Sequence, residues 1–195
     1  MASSKKKKEK QRRPWLFPAI VLFLLVLLAV CHRPLARLYF VKEYGEEIGD
    51  CSETYDVSED LICGVIWTES HFDPTAVSSA GSCGLMQLKP STFAEMRSRM
   101  ELTTDASVFS PEENIRCGTF YLRYLYDMFG DWDTALAAYN AGLGNVSKWL
   151  QDPAYSEDGK TLSTIPFPET EQYLKKVHFA EKLYNYLYGY QKKEV

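Results

Sequence analysis

The stretch LICGVIWTESHF, residues 61–72, decides the fold of this chain because it combines a helical apolar face with a carboxylate. Ser58 can cap a helix that begins at Glu59, since a serine hydroxyl accepts a hydrogen bond from an otherwise unpaired N–H group. The apolar residues of one face follow at helical spacing: Leu61, Ile62, Val65 and Ile66. The stretch therefore predicts an α-helix with one face directed into a core.

Glu69 lies on that apolar face, because it comes four residues after Val65 and three after Ile66. An ionised carboxylate loses hydration there, so we expect its pKa to be raised, and the negative end of the helix dipole acts in the same direction. A carboxylic acid that stays protonated near neutral pH can serve as a general acid. The alternative is a partly buried glutamate that pairs with a base or caps a loop.

The segment DPTAVSSAGSCGLMQ, residues 73–87, is rich in small residues and carries two glycines. It indicates a backbone that bends close to a ligand. Gly84 permits a close approach, and Gln87 supplies an amide that can bond a sugar hydroxyl or acetamido group. Asp73 precedes a proline and is therefore interpreted as a turn residue.

Residues 32–56 indicate a linker and a first helix, whose caps are weak. Three further helices are predicted after the helix at Ser58, and no segment alternates like a strand. A capping box of Ser110 and Glu113, with proline at the first helical position, predicts a helix that continues to Phe129. A short helix should follow Asp131 or Asp133. Gly130 should end the first of these helices, and Gly142 and Gly144 should end the second. The third is a long helix from Glu169 to about Tyr190. The predicted fold class is mainly α.

The charge is divided unevenly along the chain. Residues 1–13 carry seven Lys/Arg and one Glu, whereas residues 39–195 carry 13 Lys/Arg and 25 Asp/Glu. The second part is therefore strongly acidic, with a net charge of −12. Such a domain is a poor candidate for binding nucleic acid, because that binding depends on neutralising phosphates.

Residues 14–31 form an uncharged apolar run, which predicts a single transmembrane helix. The basic residues before it place the N-terminus in the cytoplasm and the rest of the chain outside the cell membrane. Two alternatives remain open: a cleaved signal peptide, and a lipoprotein signal that ends at Cys31. The chain is thus divided into a basic cytoplasmic tail (1–13), an anchor (14–31), a juxtamembrane linker (32–44) and one domain (45–190).

Neither the cysteines nor the histidines make a metal site. Four cysteines follow the anchor (Cys51, Cys63, Cys83 and Cys117), and none has C-x-x-C spacing. They permit either two disulfides or four buried thiols. The three histidines (His32, His71 and His178) are scattered. We expect neither a metal nor a cofactor.

Four motifs occur in a fixed order: ES at 69–70, GLMQ at 84–87, AYNAG at 138–142 and PFPETEQYLKKV at 166–177. In this order and spacing they resemble the family 1 lytic transglycosylases, whose catalytic domain belongs to glycoside hydrolase family 23 and is related to goose-type lysozyme. The resemblance covers about residues 45–190. The cysteines at 63, 83 and 117 depart from the family pattern.

The resemblance implies a lysozyme-like α fold and cleavage of the β-1,4 bond between N-acetylmuramic acid and N-acetylglucosamine in peptidoglycan glycan strands. It implies that Glu69 is the catalytic acid and then the base, and that 1,6-anhydromuramic acid ends are formed. The substrate-binding positions that it implies are Ser78, Gln87, Tyr139, Asn140, Glu169 and Tyr173. Two alternatives stay open: a lysozyme-type hydrolase, and a non-catalytic peptidoglycan-binding scaffold.

Overall fold

The computed structural model describes residues 15–189, and the chain divides into two units between Tyr39 and Phe40. The first unit holds helix α1, Leu16–Tyr39. The part from Phe17 to Tyr39 is long and apolar enough to cross a membrane, judged by length and composition. The predicted basic tail, residues 1–13, lies outside the described residues.

Helix α1 continues beyond residue 31, where the sequence predicts the end of the anchor. Pro34 lies inside it and removes one backbone hydrogen bond. The residues that follow, Leu35, Ala36 and Arg37, are strong helix formers, so the helix persists to Tyr39. The predicted linker over 32–44 is therefore helical in its first part.

The second unit begins with a segment that packs against its helices. Tyr188 donates a hydrogen bond to the Phe40 carbonyl at 2.6 Å, and Tyr184 donates one to the Val41 carbonyl at 2.9 Å. Lys42 forms a 2.7 Å ion pair with Glu59. These contacts fix the backbone of residues 40–42 to the rest of the unit.

Seven helices follow in the second unit: α2 Gly45–Tyr55, α3 Glu59–Ser70, α4 Pro90–Arg99, α5 Pro111–Phe129, α6 Trp132–Ala141, α7 Leu143–Trp149 and α8 Pro168–Tyr188. Within residues 15–189, extended pairing is limited to isolated bridges of Cys83 with Val77 and with Leu88. The predicted mainly α fold is confirmed. Helices α4 and α7 were not predicted.

The helix caps confirm the local predictions in part. The Ser58 hydroxyl accepts from the Leu61 N–H group at 3.3 Å, and the Asp131 carboxylate accepts from Thr134 N–H at 2.8 Å. The predicted capping box is wrong: Ser110 makes no side-chain cap, and Glu113 instead forms ion pairs. Its partners, Arg97 and Arg116, offer a charged hydrogen bond that is stronger than a cap. Gly144 is not a stop, since it lies within α7.

All five cysteines are free thiols. The sequence left open either two disulfides or four buried thiols, and the structure has four buried thiols after the anchor. Burial raises the pKa of Cys51 to about 11 and the pKa of Cys63 and Cys117 to about 12. The buried thiols act as small apolar side chains of the core.

Helix α3 is central, because its buried residues include Ile62, Val65 and Ile66, each 0% exposed. It packs along α8, and Gly64 allows the two backbones to approach closely. A Cβ atom at Gly64 would lie 3.0 Å from both the Glu181 nitrogen and the Val177 carbonyl oxygen. The site described below depends on this contact, since α3 and α8 both contribute to it.

We expect Gly64→Ala to lower the free energy of unfolding by about 2 kcal/mol, because the added methyl group must push apart two helix backbones. The matched control is Gly144→Ala, whose Cβ would meet open space. That change should stabilise α7 by about 0.5–1 kcal/mol, since alanine is the better helix former. Denaturant unfolding of both variants checks this, and equal effects would contradict the packing argument.

Candidate active site

Glu69 occupies the last turn of α3 and lines a cleft of about 320 Å³. The helix ends at once, because His71 adopts a left-handed conformation with φ of 54° and returns its N–H group to the Trp67 carbonyl. Five segments share the cleft: the end of α3, the loop after it, the first turn of α4, α5 and the end of α6. The lining residues are Glu69, Ser82, Gln87, Leu88, Lys89, Thr92, Tyr121, Tyr139, Asn140, Ala141 and Gly142.

Burial raises the pKa of Glu69 to about 7, as the sequence predicted in direction. The Tyr173 hydroxyl, on α8, opposes this effect and lowers the pKa of the carboxyl. The two groups do not reach regular hydrogen-bond geometry, since the buried Tyr173 hydroxyl has no partner by distance and angle among the described residues. Tyr173 thus places a polar hydrogen beside the carboxyl without fully pairing it.

The raised pKa predicts a pH-dependent stability effect for Glu69→Gln. Between the unfolded-state pKa of about 4.5 and the folded-state pKa of about 7, the unfolded chain releases a proton that the folded chain retains. The wild type therefore loses stability as pH rises through this range, and the glutamine variant does not. We expect the variant to gain about 3 kcal/mol over the wild type between pH 4 and pH 8. Urea unfolding at both pH values checks this, and a constant difference would contradict it.

The loop that carries GLMQ is held by Asn114 on α5. The Asn114 side chain accepts from the Met86 N–H group at 2.7 Å and donates to the Cys83 carbonyl at 3.1 Å and the Val108 carbonyl at 2.8 Å. Gly84 has a φ of 77°, and a Cβ atom there would lie 2.5 Å from the Asn114 amide nitrogen. The glycine therefore serves both the turn and the close approach to Asn114.

Two more hydrogen bonds join this loop to the helices of the cleft. The Ser70 hydroxyl, next to Glu69, donates to the Leu85 carbonyl at 2.8 Å. The Tyr139 hydroxyl, on α6, donates to the Met86 carbonyl at 2.7 Å. The Tyr139 proton is thus directed to the loop, not to Glu69, and its oxygen keeps lone pairs that can accept a hydrogen bond.

The predicted residues Gln87 and Asn140 both line the cleft. The Gln87 amide nitrogen donates to the Ala76 and Gly84 carbonyls at 3.1 and 2.8 Å, so its carbonyl oxygen is the group left for a ligand. The Asn140 oxygen accepts from the Thr170 hydroxyl at 2.9 Å, so its amide hydrogens are left. The two amides therefore offer one acceptor and one donor group.

Ser78 and Glu169 do not line the cleft. The Ser78 hydroxyl accepts from the Ser82 N–H group at 3.0 Å and closes the loop turn. Glu169 is exposed in the first turn of α8, next to Thr170. The structure therefore brings Glu69, Gln87, Tyr139 and Asn140 together at the cleft, with Tyr173 behind the carboxyl.

Outside the four motifs, the sequence analysis missed five cleft residues: Ser82, Leu88, Lys89, Thr92 and Tyr121. Three of them directly follow GLMQ along the chain or begin α4, so the position of that motif was the available signal. Tyr121 lies within an amphipathic helix, where nothing local distinguishes it from a core tyrosine. Its ring packs against Tyr139, with centroids 5.3 Å apart.

Among residues 15–189, Glu69 supplies the one carboxyl group that lines this cleft. Asp73, the other acid close in sequence, is exposed and accepts from the Thr75 N–H and hydroxyl groups at 2.8 and 2.7 Å. It is the turn residue that the sequence predicted. Over residues 15–189, no group of three or more His, Cys, Asp and Glu side chains could hold a metal ion.

Known proteins resemble this chain in sequence and in structure. Residues 47–162 match the family described as the transglycosylase SLT domain. The soluble lytic murein transglycosylase of Salmonella typhimurium is 36% identical over 69% of this chain and 22% of its own length. The membrane-bound lytic murein transglycosylase C of Serratia proteamaculans is 31% identical over 73% of this chain and 46% of its own length. The chain therefore spans less than half the length of these relatives.

Solved structures give the same result. The 70 kDa soluble lytic transglycosylase of Escherichia coli aligns with a TM-score of 0.68 and 29% identity over 78% of this chain and 26% of its own. An inactive glutamate-to-glutamine mutant of the lytic transglycosylase Slt of Pseudomonas aeruginosa aligns with a TM-score of 0.67 and 28% identity over 77% of this chain and 25% of its own. The family match covers more than half of the sequence, and the folds agree. This chain belongs to the transglycosylase SLT domain family.

Proposed function

We propose that this protein is a membrane-anchored lytic transglycosylase that cleaves the β-1,4 bond between N-acetylmuramic acid and N-acetylglucosamine in peptidoglycan. The observation that carries the proposal is the Glu69 carboxyl, which lines the cleft with a pKa raised to about 7. Membership of the family supports the reaction, and the inactive glutamate-to-glutamine mutant of the Pseudomonas relative supports an essential glutamate.

In the first step the protonated Glu69 carboxyl gives its proton to the glycosidic oxygen, and the bond from that oxygen to the muramic acid C1 breaks. About half of the Glu69 groups are protonated at pH 7, because the pKa lies near that value. The N-acetyl group of the muramic acid stabilises the positive charge that forms at C1. The loop residues around Glu69 are held by Ser70 and Asn114, so the carboxyl keeps its place during this step.

In the second step the Glu69 carboxylate takes the proton from the C6 hydroxyl of the same sugar. The C6 oxygen then bonds to C1 and closes a 1,6-anhydro ring, and Glu69 ends in its original protonated form. No water is consumed. The intramolecular hydroxyl competes well with water because it is already close to C1.

The described residues place a single carboxyl group in the cleft, which favours this route over hydrolysis of the lysozyme type. Glycosidases that hydrolyse usually have a second carboxylate within about 5–10 Å of the acid. Asp73 is occupied by its own turn, and Glu169 lies in the first turn of α8 outside the lining. The substrate itself therefore supplies the nucleophile in our proposal.

The neighbouring side chains would bind the sugars. The Gln87 oxygen would accept from a hydroxyl or acetamido N–H group, and the Asn140 amide would donate to a sugar oxygen. The Tyr139 oxygen would accept, since its proton goes to Met86. The predicted roles of Ser78 and Glu169 are indirect in this proposal, because Ser78 shapes the loop and Glu169 begins the helix that carries Tyr173.

We propose that α1 spans the cell membrane, with the N-terminus in the cytoplasm and the catalytic domain outside. Its length and apolar composition support this, as does the excess of Lys/Arg in residues 1–13. Protease added to sealed, right-side-out cell vesicles should digest the domain and spare an N-terminal tag. Protection of the domain, or release of the whole chain by alkaline carbonate, would reject the spanning anchor.

Mass spectrometry of the products tests the reaction. The full-length protein in detergent should convert isolated peptidoglycan into fragments that end in 1,6-anhydromuramic acid. Fragments one water heavier, with a reducing end, would replace the proposal with a lysozyme-type hydrolase. Binding without cleavage would replace it with a scaffold.

A further inference from the structure

Lys89 is, within the part of the chain that the structure describes, the one cation among the residues that line the cleft. It is exposed, and no ion pair or hydrogen bond engages its ammonium group in residues 15–189. The arginines nearby differ, since Arg97 and Arg116 are paired with Glu113, and Arg116 also with Glu112. The Lys89 charge is therefore available to a ligand in the cleft.

The backbone at Lys89 is fixed on both sides. Leu88 exchanges two backbone hydrogen bonds with Cys83, at 2.9 and 3.0 Å, and the Lys89 carbonyl accepts from Phe93 N–H at 2.9 Å in the first turn of α4. Thr92, three residues later, also lines the cleft and shares that side of the helix. The ammonium group thus extends from a rigid position beside a hydroxyl.

Lys89 is a positive charge in a domain whose net charge is strongly negative. Residues 39–195 carry 25 Asp/Glu and 13 Lys/Arg, so the surface as a whole repels an anionic polymer. The other lining side chains besides Glu69 and Lys89 are uncharged. An anionic group of a ligand is therefore attracted at one place in the cleft, and that place is Lys89.

We propose that Lys89 is a specificity-determining residue that binds a carboxylate attached to the muramic acid sugar. This rests on the proposed function, because peptidoglycan supplies the carboxylate. Muramic acid differs from N-acetylglucosamine by a lactyl ether, which ends either in a free carboxylate or in an amide bond to a peptide with its own carboxylates. Lys89 distinguishes the two sugars by that charge.

Kinetics on three glycans test the proposal: peptide-bearing strands, strands freed of peptide by an amidase, and neutral N-acetylglucosamine oligomers. We expect Lys89→Met to raise KM on the anionic strands and to lower the preference for anionic over neutral glycan by about fivefold. Lys89→Arg should restore the preference, since it keeps the charge. The control Lys176→Met removes an equal charge from the exposed face of α8 and should leave the preference unchanged.

Each outcome has a defined meaning. An effect on peptide-bearing strands alone assigns Lys89 to a peptide carboxylate, and an effect on the amidase-treated strands assigns it to the lactyl carboxylate. An equal loss on all three glycans, or an equal effect of Lys176→Met, overturns the proposal. If the wild type cleaves nothing, the proposed function fails separately. The Lys89 proposal is then tested by co-sedimentation of the Glu69→Gln protein, with and without Lys89→Met, with insoluble peptidoglycan and with chitin. If Lys89→Met leaves the binding to both polymers unchanged, the proposal is overturned.

Discussion

Glu69→Gln is expected to lower the rate of peptidoglycan cleavage by about 10³- to 10⁴-fold while the protein stays folded. General acid–base catalysis by one side chain contributes about 10²- to 10⁴-fold. In the proposed route Glu69 acts twice, as the acid toward the glycosidic oxygen and as the base toward the C6 hydroxyl. No other carboxyl of the described part of the chain lines the cleft to replace it, so the loss should lie at the upper end of that range.

The pH dependence sharpens this prediction. The first step requires the protonated carboxyl, whose pKa is raised to about 7, so the wild-type rate should fall as pH rises above that value. Tyr173 lowers this pKa, and Tyr173→Phe should therefore move the fall in rate to higher pH. Initial rates from pH 5 to pH 9 measure both effects. If the rate of Tyr173→Phe falls at the same pH as that of the wild type, the tyrosine does not act on the Glu69 carboxyl.

The matched control for Glu69→Gln is Glu157→Gln, which makes the same chemical change at an exposed position away from the cleft. It should keep the wild-type rate. Binding should also survive in Glu69→Gln, because the amide retains the size of the carboxyl. A Glu69→Gln protein that is folded, binds peptidoglycan and keeps more than a tenth of the wild-type rate would remove Glu69 from the mechanism.

The features that the sequence predicted correctly depend on residues close together along the chain. The caps at Ser58 and Asp131 act across three residues, and the inward position of Glu69 follows from helical spacing to Val65 and Ile66. Local rules are sufficient for such features because the partners are within one helical turn. The mainly α fold follows from several of them in succession.

The features that the sequence could not predict depend on distant partners. The capping box at Ser110 and Glu113 was wrong because Arg97, 16 residues before Glu113, attracts the glutamate away. Gln87 was expected to offer its amide generally, yet its two donors are taken by loop carbonyls, one of them 11 residues away. Such competition between partners is decided by the fold and leaves no local signal.

The role of Asn114 also depends on distant partners, and its replacement carries the second large prediction. We expect Asn114→Ala to lower the free energy of unfolding by about 3–4 kcal/mol. Asn114 is 0% exposed, and its side chain satisfies Met86 N–H and the carbonyls of Cys83 and Val108. An unsatisfied buried polar group costs about 1–3 kcal/mol, and a partly relaxed loop leaves less than the full sum for three. The melting temperature should fall by about 10 °C.

Two further variants separate the hydrogen bonds of Asn114 from the volume of its side chain. Asn145→Ala removes one local bond, from its amide to the Ala141 carbonyl at 2.8 Å, and should cost less than about 1 kcal/mol.

Asn114→Asp keeps the acceptor for Met86 N–H, but at neutral pH it sets a carboxylate against two carbonyl oxygens. Protonation restores one donor, and the buried acid has a raised pKa, so this variant should regain stability as pH falls from 7 to 4. Asn114→Ala, which has no titrating group, should show no such regain relative to the wild type. Thermal unfolding at both pH values measures this difference, and parallel behaviour of the two variants would mean that Asn114 fills space and does not hold the loop.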